Sequence, residues 1–116
     1  MKNAKLRILT IFVAIATLTT ITSAFAIGQT ANAKLGAKIF EANCSPCHAG
    51  GENTVETAKT LKSDALKANG FSSVADIKKR VEEGKGVMPV FKNQLKTEEI
   101  DAVANYVWEK SQSNWK

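Results

Sequence analysis

The pentapeptide Cys44-Ser45-Pro46-Cys47-His48 constrains this chain more than any other feature. Two thiols separated by two residues and followed directly by an imidazole form C-x-x-C-H, the attachment motif of a c-type haem. The two-residue gap lets one turn of backbone carry both sulfurs to the two haem vinyl groups, where they add as thioethers. The adjacent His then ligates the iron from below through a ring nitrogen. Rival uses of these residues fail on counting. A structural zinc site wants four N/S ligands, and the chain holds two Cys and one His in all. A thioredoxin-like pair wants a βαβ context, yet no stretch here alternates like a strand. A disulfide between Cys44 and Cys47 would close a trivial loop and stabilise little.

The second axial ligand follows by elimination. With His48 as the only His, two-His ligation within one chain is impossible. Met is the usual partner where a c-type haem transfers electrons. The chain has two Met, and Met1 lies in a segment expected to be removed, which leaves Met88. It sits in Gly84-Lys85-Gly86-Val87-Met88-Pro89, where the glycines permit tight turns and Pro89 cannot extend a helix. Core filling is the bland alternative for a Met. An iron with both axial positions occupied suits reversible one-electron transfer, whereas peroxidases and oxygen carriers need an open distal site. A haem-based sensor in which Met88 dissociates is the competing use.

The first residues read as an export signal. Lys2, Lys5 and Arg7 precede a Thr-diluted apolar run, and two small-x-small sites follow, Ala24-Phe25-Ala26 and Ala31-Asn32-Ala33. The expected signal peptide is residues 1–26, with 33 as the alternative end, and the folded domain is 27–116. An uncleaved anchor is the competing reading, because no charge occurs between Arg7 and Lys34. Either way the domain is expected to lie outside the cytoplasm. Removing Lys2, Lys5 and Arg7 lowers the formal charge from +5 to +2. Nucleic acid therefore drops out as a partner, and no stable membrane insertion is expected after cleavage. Residues 59–96 retain an excess of basic side chains that could steer an acidic redox partner. A domain this small has a limited core and commonly needs a cofactor or other staple.

The remaining pattern is all-α, with about four short helices. Residues 34–43 carry Leu35, Ile39 and Phe40 at helical spacing. A segment from about Ser63 to Asn69 stops at Gly70. Ser73-Val74-Ala75-Asp76 has capping-box spacing ahead of Ile77 and Val81, and Gly84 ends that helix. The last helix is expected to take Thr97 as N-cap. It has acids in its first turn and a buried face of Ile100, Val103, Ala104, Val107 and Trp108.

From Leu35 to the C-terminus the chain resembles the class I cytochromes c, and within them the cytochrome c6 family of cyanobacteria and algae. The resemblance rests on Gly36-Ala37-Lys38-Ile39-Phe40, on Asn43 through Gly51 with Asn53, and on Lys59-Thr60-Leu61-Lys62. It continues through Gly84-Lys85-Gly86, Met88-Pro89 with Phe91, Val103-Ala104-Asn105-Tyr106-Val107 and Trp115. C-x-x-C-H together with Met-Pro-x-Phe marks the family; either alone indicates only a c-type cytochrome. The resemblance implies one covalent haem c wrapped by helices, with the terminal helices crossing where Gly36 and Phe40 meet Val103 and Tyr106. It places Asn53 and residues 59–62 near the haem propionates, and Leu61, Pro89 and Phe91 along the pocket. It implies a monomeric electron carrier, not an enzyme, working between the cytochrome b6f complex and photosystem I or feeding a terminal oxidase. Two positions depart from the family pattern. Arg80 stands where Gln is usual, and Gln94 stands where an Arg associated with photosystem docking is usual. A divergent paralogue, or a periplasmic cytochrome serving an oxidase, is the corresponding alternative.

Overall fold

A computed structural model describes residues 28–116; the expected signal, residues 1–26, lies outside the described residues. The chain divides between Ala31 and Asn32 into two units. Of the first, residues 28–31 are described, and they are helical and exposed. The second unit, Asn32–Lys116, carries everything discussed below.

Five α-helices appear among the described residues: α1 (28–43), α2 (Ser45–His48), α3 (Ser63–Ala68), α4 (Val74–Glu83) and α5 (Thr97–Gln112). A 3-10 turn, Ala49–Gly51, follows α2 directly. There is no strand among these residues, only an isolated antiparallel bridge between Lys85 and Met88. The expected all-α class holds. The short α2 was not anticipated as a helix of its own, because four residues leave no periodicity to read.

Each helix ends for a local reason. At the end of α1, Cys44 N–H donates to Phe40 O at 2.8 Å, and Asn43 Nδ2 folds back onto the Ile39 carbonyl at 3.0 Å. After α3 the chain turns through Gly70 at φ 82°, and Phe71 N–H donates back to Leu66 O at 2.9 Å. In α4, Ser73 is the N-cap and its hydroxyl accepts from Asp76 N–H at 3.3 Å. The Asp76 carboxylate in turn accepts from the Ser72 N–H at 2.9 Å and the Ser73 hydroxyl at 2.8 Å. The reciprocal bond of a full capping box would go to Ser73 N–H; here it goes one residue earlier. In α5 the N-cap is Lys96, not Thr97, and the Glu99 carboxylate accepts from Lys96 N–H at 2.9 Å. The expectation for Thr97 is therefore corrected by one residue: Glu99 at the third helical position outcompetes the Thr hydroxyl by reaching back to the cap.

The Asp76 bonds carry a pH prediction. Hydrogen bonds from Ser72 first, then from Ser73, hold its carboxyl below the usual Asp value. A depressed folded-state pKa adds stability above the unfolded value, near pH 4, that is lost as pH falls through the folded one. Asp76→Ala should therefore lower Tm by a constant amount at neutral pH, and the difference from wild type should close on acidification. Thermal melts across pH 2–7 check this.

The buried cluster joins Ile39 and Phe40 of α1, Leu66 of α3, Ile77 and Val81 of α4, Phe91, and Ile100, Val103, Ala104 and Val107 of α5. Its tightest point is the crossing of α1 and α5. A Cβ on Gly36 would lie 2.7 Å from Tyr106 Cβ and would overlap the Ala102 carbonyl. One turn on, the Phe40 and Tyr106 rings pack at 5.4 Å between centroids, tilted by 50°. This is the terminal-helix crossing that the resemblance implied. On the outer surface Lys78 of α4 pairs with Asp101 of α5.

Candidate haem site

The motif Cys44–His48 is one helical turn. Cys44 caps α2, and its carbonyl accepts from Cys47 N–H at 3.1 Å and His48 N–H at 2.9 Å. Pro46 belongs in the first turn, where a missing N–H costs nothing. One turn thus presents two thiols and an imidazole together. Both cysteines are free thiols. Burial pushes the Cys44 thiol up to about 11, while Cys47 is exposed.

His48 is oriented by a partner that sequence reasoning did not find. Its Nδ1 lies 2.9 Å from the Glu52 carbonyl oxygen. A carbonyl only accepts, so Nδ1 carries the proton and Nε2 keeps its lone pair for a metal. Such a contact fixes ring and tautomer and raises the basicity of the ligating nitrogen. A backbone acceptor four residues on leaves no side-chain signature.

Met88 arrives on a turn that closes on itself. Lys85 N–H donates to Met88 O at 3.1 Å, and Met88 N–H to Lys85 O at 3.0 Å. Gly84 ends α4 at φ 63°, ψ −174°, a region open essentially only to Gly. A Cβ there would stand 2.5 Å from Met88 O and 2.6 Å from Pro89 O. Past the turn, Phe91 N–H donates to Val81 O at 3.1 Å and returns the segment to α4. Gly84→Ala should therefore combine about 1–3 kcal/mol of backbone strain with a displaced Met88 turn. The expected result is a weakened near-infrared Met-to-iron band together with a lower Tm, read on the oxidised holoprotein.

All the expected site residues come together. Cys44, Cys47, His48, Asn53, Leu61, Met88, Pro89 and Phe91 line one cavity of about 230 Å³. Its other walls combine core side chains, among them Phe40, Val81 and Val107, with charged ones, Glu56, Lys59, Arg80 and Lys85. Protein interiors are normally close-packed. A domain that builds its core around such a space is shaped for a large apolar group. Two thiols, an imidazole and a thioether on its walls are the donor set a covalent haem requires, so the residues present fit that cofactor.

Three residues have a different character from the one implied by resemblance. Asn53 lines the cavity, but its side chain is committed to the loop. Oδ1 accepts from Val55 N–H at 3.0 Å and Glu56 N–H at 2.8 Å, and Nδ2 donates to Lys59 O at 3.0 Å. Arg80 also lines the cavity, with its guanidinium carbon 5.1 Å from the centre of the Phe71 ring. Gln94 is exposed, and its amide folds back onto the Val90 carbonyl at 3.0 Å.

Comparison with known proteins agrees with this geometry. The family model described as "Cytochrome C oxidase, cbb3-type, subunit III" matches residues 31–107. Cytochrome c6 of Bumilleriopsis filiformis is 49% identical over 80 residues, 69% of this chain and 93% of that protein. Cytochrome c6 of Leptolyngbya boryana is 47% identical over 85 residues, 73% of this chain and 100% of the relative. Among solved structures, cytochrome c6C of Synechococcus sp. PCC 7002 shares 46% identity with a TM-score of 0.66, covering 68% of this chain and 96% of its own. Cytochrome c6 of the diatom Phaeodactylum tricornutum shares 40% identity with a TM-score of 0.70, covering 72% and 98%. A haem-attachment turn, a Met-bearing turn and a helix crossing around one cavity, in a chain nearly half identical to such proteins along almost their full length, make it a member of the cytochrome c6 family, electron carriers with one covalently bound haem c.

Proposed function

We propose that this chain is exported, loses a signal peptide ending at Ala26 or Ala33, and carries single electrons from the cytochrome b6f complex to photosystem I in a thylakoid lumen or periplasm. In this reading Cys44 and Cys47 form the thioethers, and His48 and Met88 are the axial ligands. The observation that carries it is the convergence of these four side chains on one cavity walled by the core. The haem iron supplies the reversible one-electron chemistry. The chain holds His48 Nε2 and the Met88 thioether toward it and keeps water from most of the cavity. A thioether favours Fe(II), as does a dry apolar shell, because both disfavour the extra charge of Fe(III). Among the described residues no helix is long and apolar enough to cross a membrane.

A second acceptor, such as a terminal oxidase, is favoured by two side chains. Gln94 places a neutral, self-bonded amide where the family pattern has a cation, and Arg80 places a cation on the cavity wall. Laser-flash kinetics with photosystem I, alongside oxidase turnover with the same reduced cytochrome, separates the two. Rapid, salt-dependent reduction of the photosystem supports the first. Turnover with the oxidase alone supports the second and overturns the first.

A further inference from the structure

We propose that Trp115 is a positioning residue for the axial histidine, acting through the loop that follows the haem-attachment turn. This rests on the assignment of His48 as an iron ligand.

The starting observation is backbone strain. Asn114 and Trp115 have φ of 53° and 60°, the only non-glycine residues of positive φ among those described. Asn tolerates this region, but a bulky aromatic in it is an outlier. Strain of this kind costs about 1–3 kcal/mol per residue and persists only where surrounding contacts over-determine it. Part of that holding is the C-terminal cap of α5, where Asn114 N–H donates to Ser111 O at 3.2 Å and Trp115 N–H to Lys110 O at 2.8 Å; the rest belongs to the indole. Its ring packs 5.1 Å from Phe40 and 6.1 Å from Tyr106, centroid to centroid. Its Nε1–H donates to the Leu61 carbonyl at 3.0 Å.

The indole also lies flat against Gly51. A Cβ on that glycine would fall 2.5 Å from Trp115 Cγ, so nothing larger than glycine fits beneath the ring. Gly51 sits at φ 76°, and its carbonyl accepts from Leu61 N–H at 2.7 Å. Trp115, Leu61 and Gly51 therefore form a closed loop of contacts: indole to Leu61 O, Leu61 N–H to Gly51 O, and Gly51 under the indole. The next residue is Glu52, whose carbonyl receives His48 Nδ1–H. Glu52 is otherwise held by its N–H to Ala49 O at 3.2 Å and by an exposed pair with Lys62, both of which belong to the same loop. The indole is the anchor from outside that loop, and it comes from the far end of the chain. Without it, two consecutive left-handed glycines, Gly50 at 61° and Gly51 at 76°, leave the Glu52 carbonyl free to swing from the imidazole.

A weaker bond from Nδ1 makes the imidazole a poorer donor, which destabilises Fe(III) and raises the midpoint potential. The test uses the covalent holoprotein, which retains its haem through both cysteines. Trp115→Ala is compared with wild type and with Ile100→Val, a buried α5 change that does not touch the cavity wall. The readouts are solvent exchange of the His48 Nδ1 proton by NMR in the reduced state, and the midpoint potential. Trp115→Ala is expected to speed that exchange roughly tenfold, about the factor for losing one hydrogen bond's net contribution, and to raise the potential. Ile100→Val should lower Tm while leaving both readouts at wild-type values. If Trp115→Ala lowers Tm but moves neither readout, the positioning role is overturned. Trp115→Phe keeps an aromatic ring at this position but removes Nε1–H and much of the indole surface over Gly51. Should the Ala variant fail to accumulate, faster exchange in Trp115→Phe supports the proposal and wild-type exchange overturns it. The axial assignment is judged separately on wild type: His48 ring protons without large haem ring-current shifts would overturn it before any variant is compared.

Discussion

Met88→Ala leaves the haem attached, opens one face of the iron and lowers the midpoint potential. On the ligation proposed above, attachment survives because Cys44 and Cys47 would carry the thioethers, on a turn separate from the one that bears residue 88. If Met88 is the axial ligand proposed above, the potential should fall, because its thioether would favour Fe(II) and the variant would supply no such donor. Axial ligation spans about 0.8 V across haem proteins, so a fall on the order of 0.1–0.3 V is expected. Redox titration reads the shift, and carbon monoxide binding by the reduced variant, absent in wild type, reads the open face. The Lys85–Met88 backbone bonds do not involve the side chain, so the turn itself should persist. A variant with wild-type potential and no affinity for carbon monoxide would remove Met88 from the coordination sphere.

Gly36→Ala destabilises the fold by about 2–3 kcal/mol, although in an exposed helix the same change would stabilise by about 1 kcal/mol. The sign reverses because the crossing of α1 and α5 is set by backbone contact. The new methyl would overlap the Ala102 carbonyl and crowd Tyr106 Cβ at 2.7 Å. Both obstacles are parts of a rigid helix, so neither can rotate away as a long side chain would. The helices must separate, and the Phe40–Tyr106 packing loosens with them. For a domain of this size the loss corresponds to about 10–20 °C in Tm, measurable by circular dichroism of the holoprotein. A Tm at or above wild type would mean that α1 can shift along α5 at little cost.

Much of this was legible because it depended on residue type and spacing. C-x-x-C-H defines its own chemistry, and α5 announces itself through Ile100, Val103, Ala104 and Val107 at helical intervals. That Met88 lines the same cavity as His48 accords with the expectation drawn from His48 being the only His. What escaped notice was carried by backbone groups and by long-range contacts. The Glu52 carbonyl that orients His48 is a main-chain atom, so any residue there could supply it. The cap of α5 slipped by one because Thr97 and Lys96 compete for the same role, and the position of Glu99 decides between them. The resemblance implied Asn53 as a propionate neighbour; it lines the cavity, and the three hydrogen bonds of its side chain to its own loop could not be read from the sequence. Arg80 stood out only as a departure from the family pattern, and only three dimensions bring Phe71 under its guanidinium.

The meeting of Gly36 with Ala102 and Tyr106 also has a kinetic side. Nearly the whole folded domain lies between those contacts, so closing them carries a large loop entropy and is expected to limit the folding rate. Among the described helices, α5 is the one whose docking completes the cavity. Until it docks, the Cys44–His48 turn has no wall opposite it, and both thiols stand open to whatever delivers the porphyrin. Tethered there, the cofactor offers a ready apolar surface on which Phe91 and α5 can condense. Chains that acquire haem before α5 docks should then reach the native state faster than bare chains. The order of assembly, tether first and closure second, is written into which two helices touch.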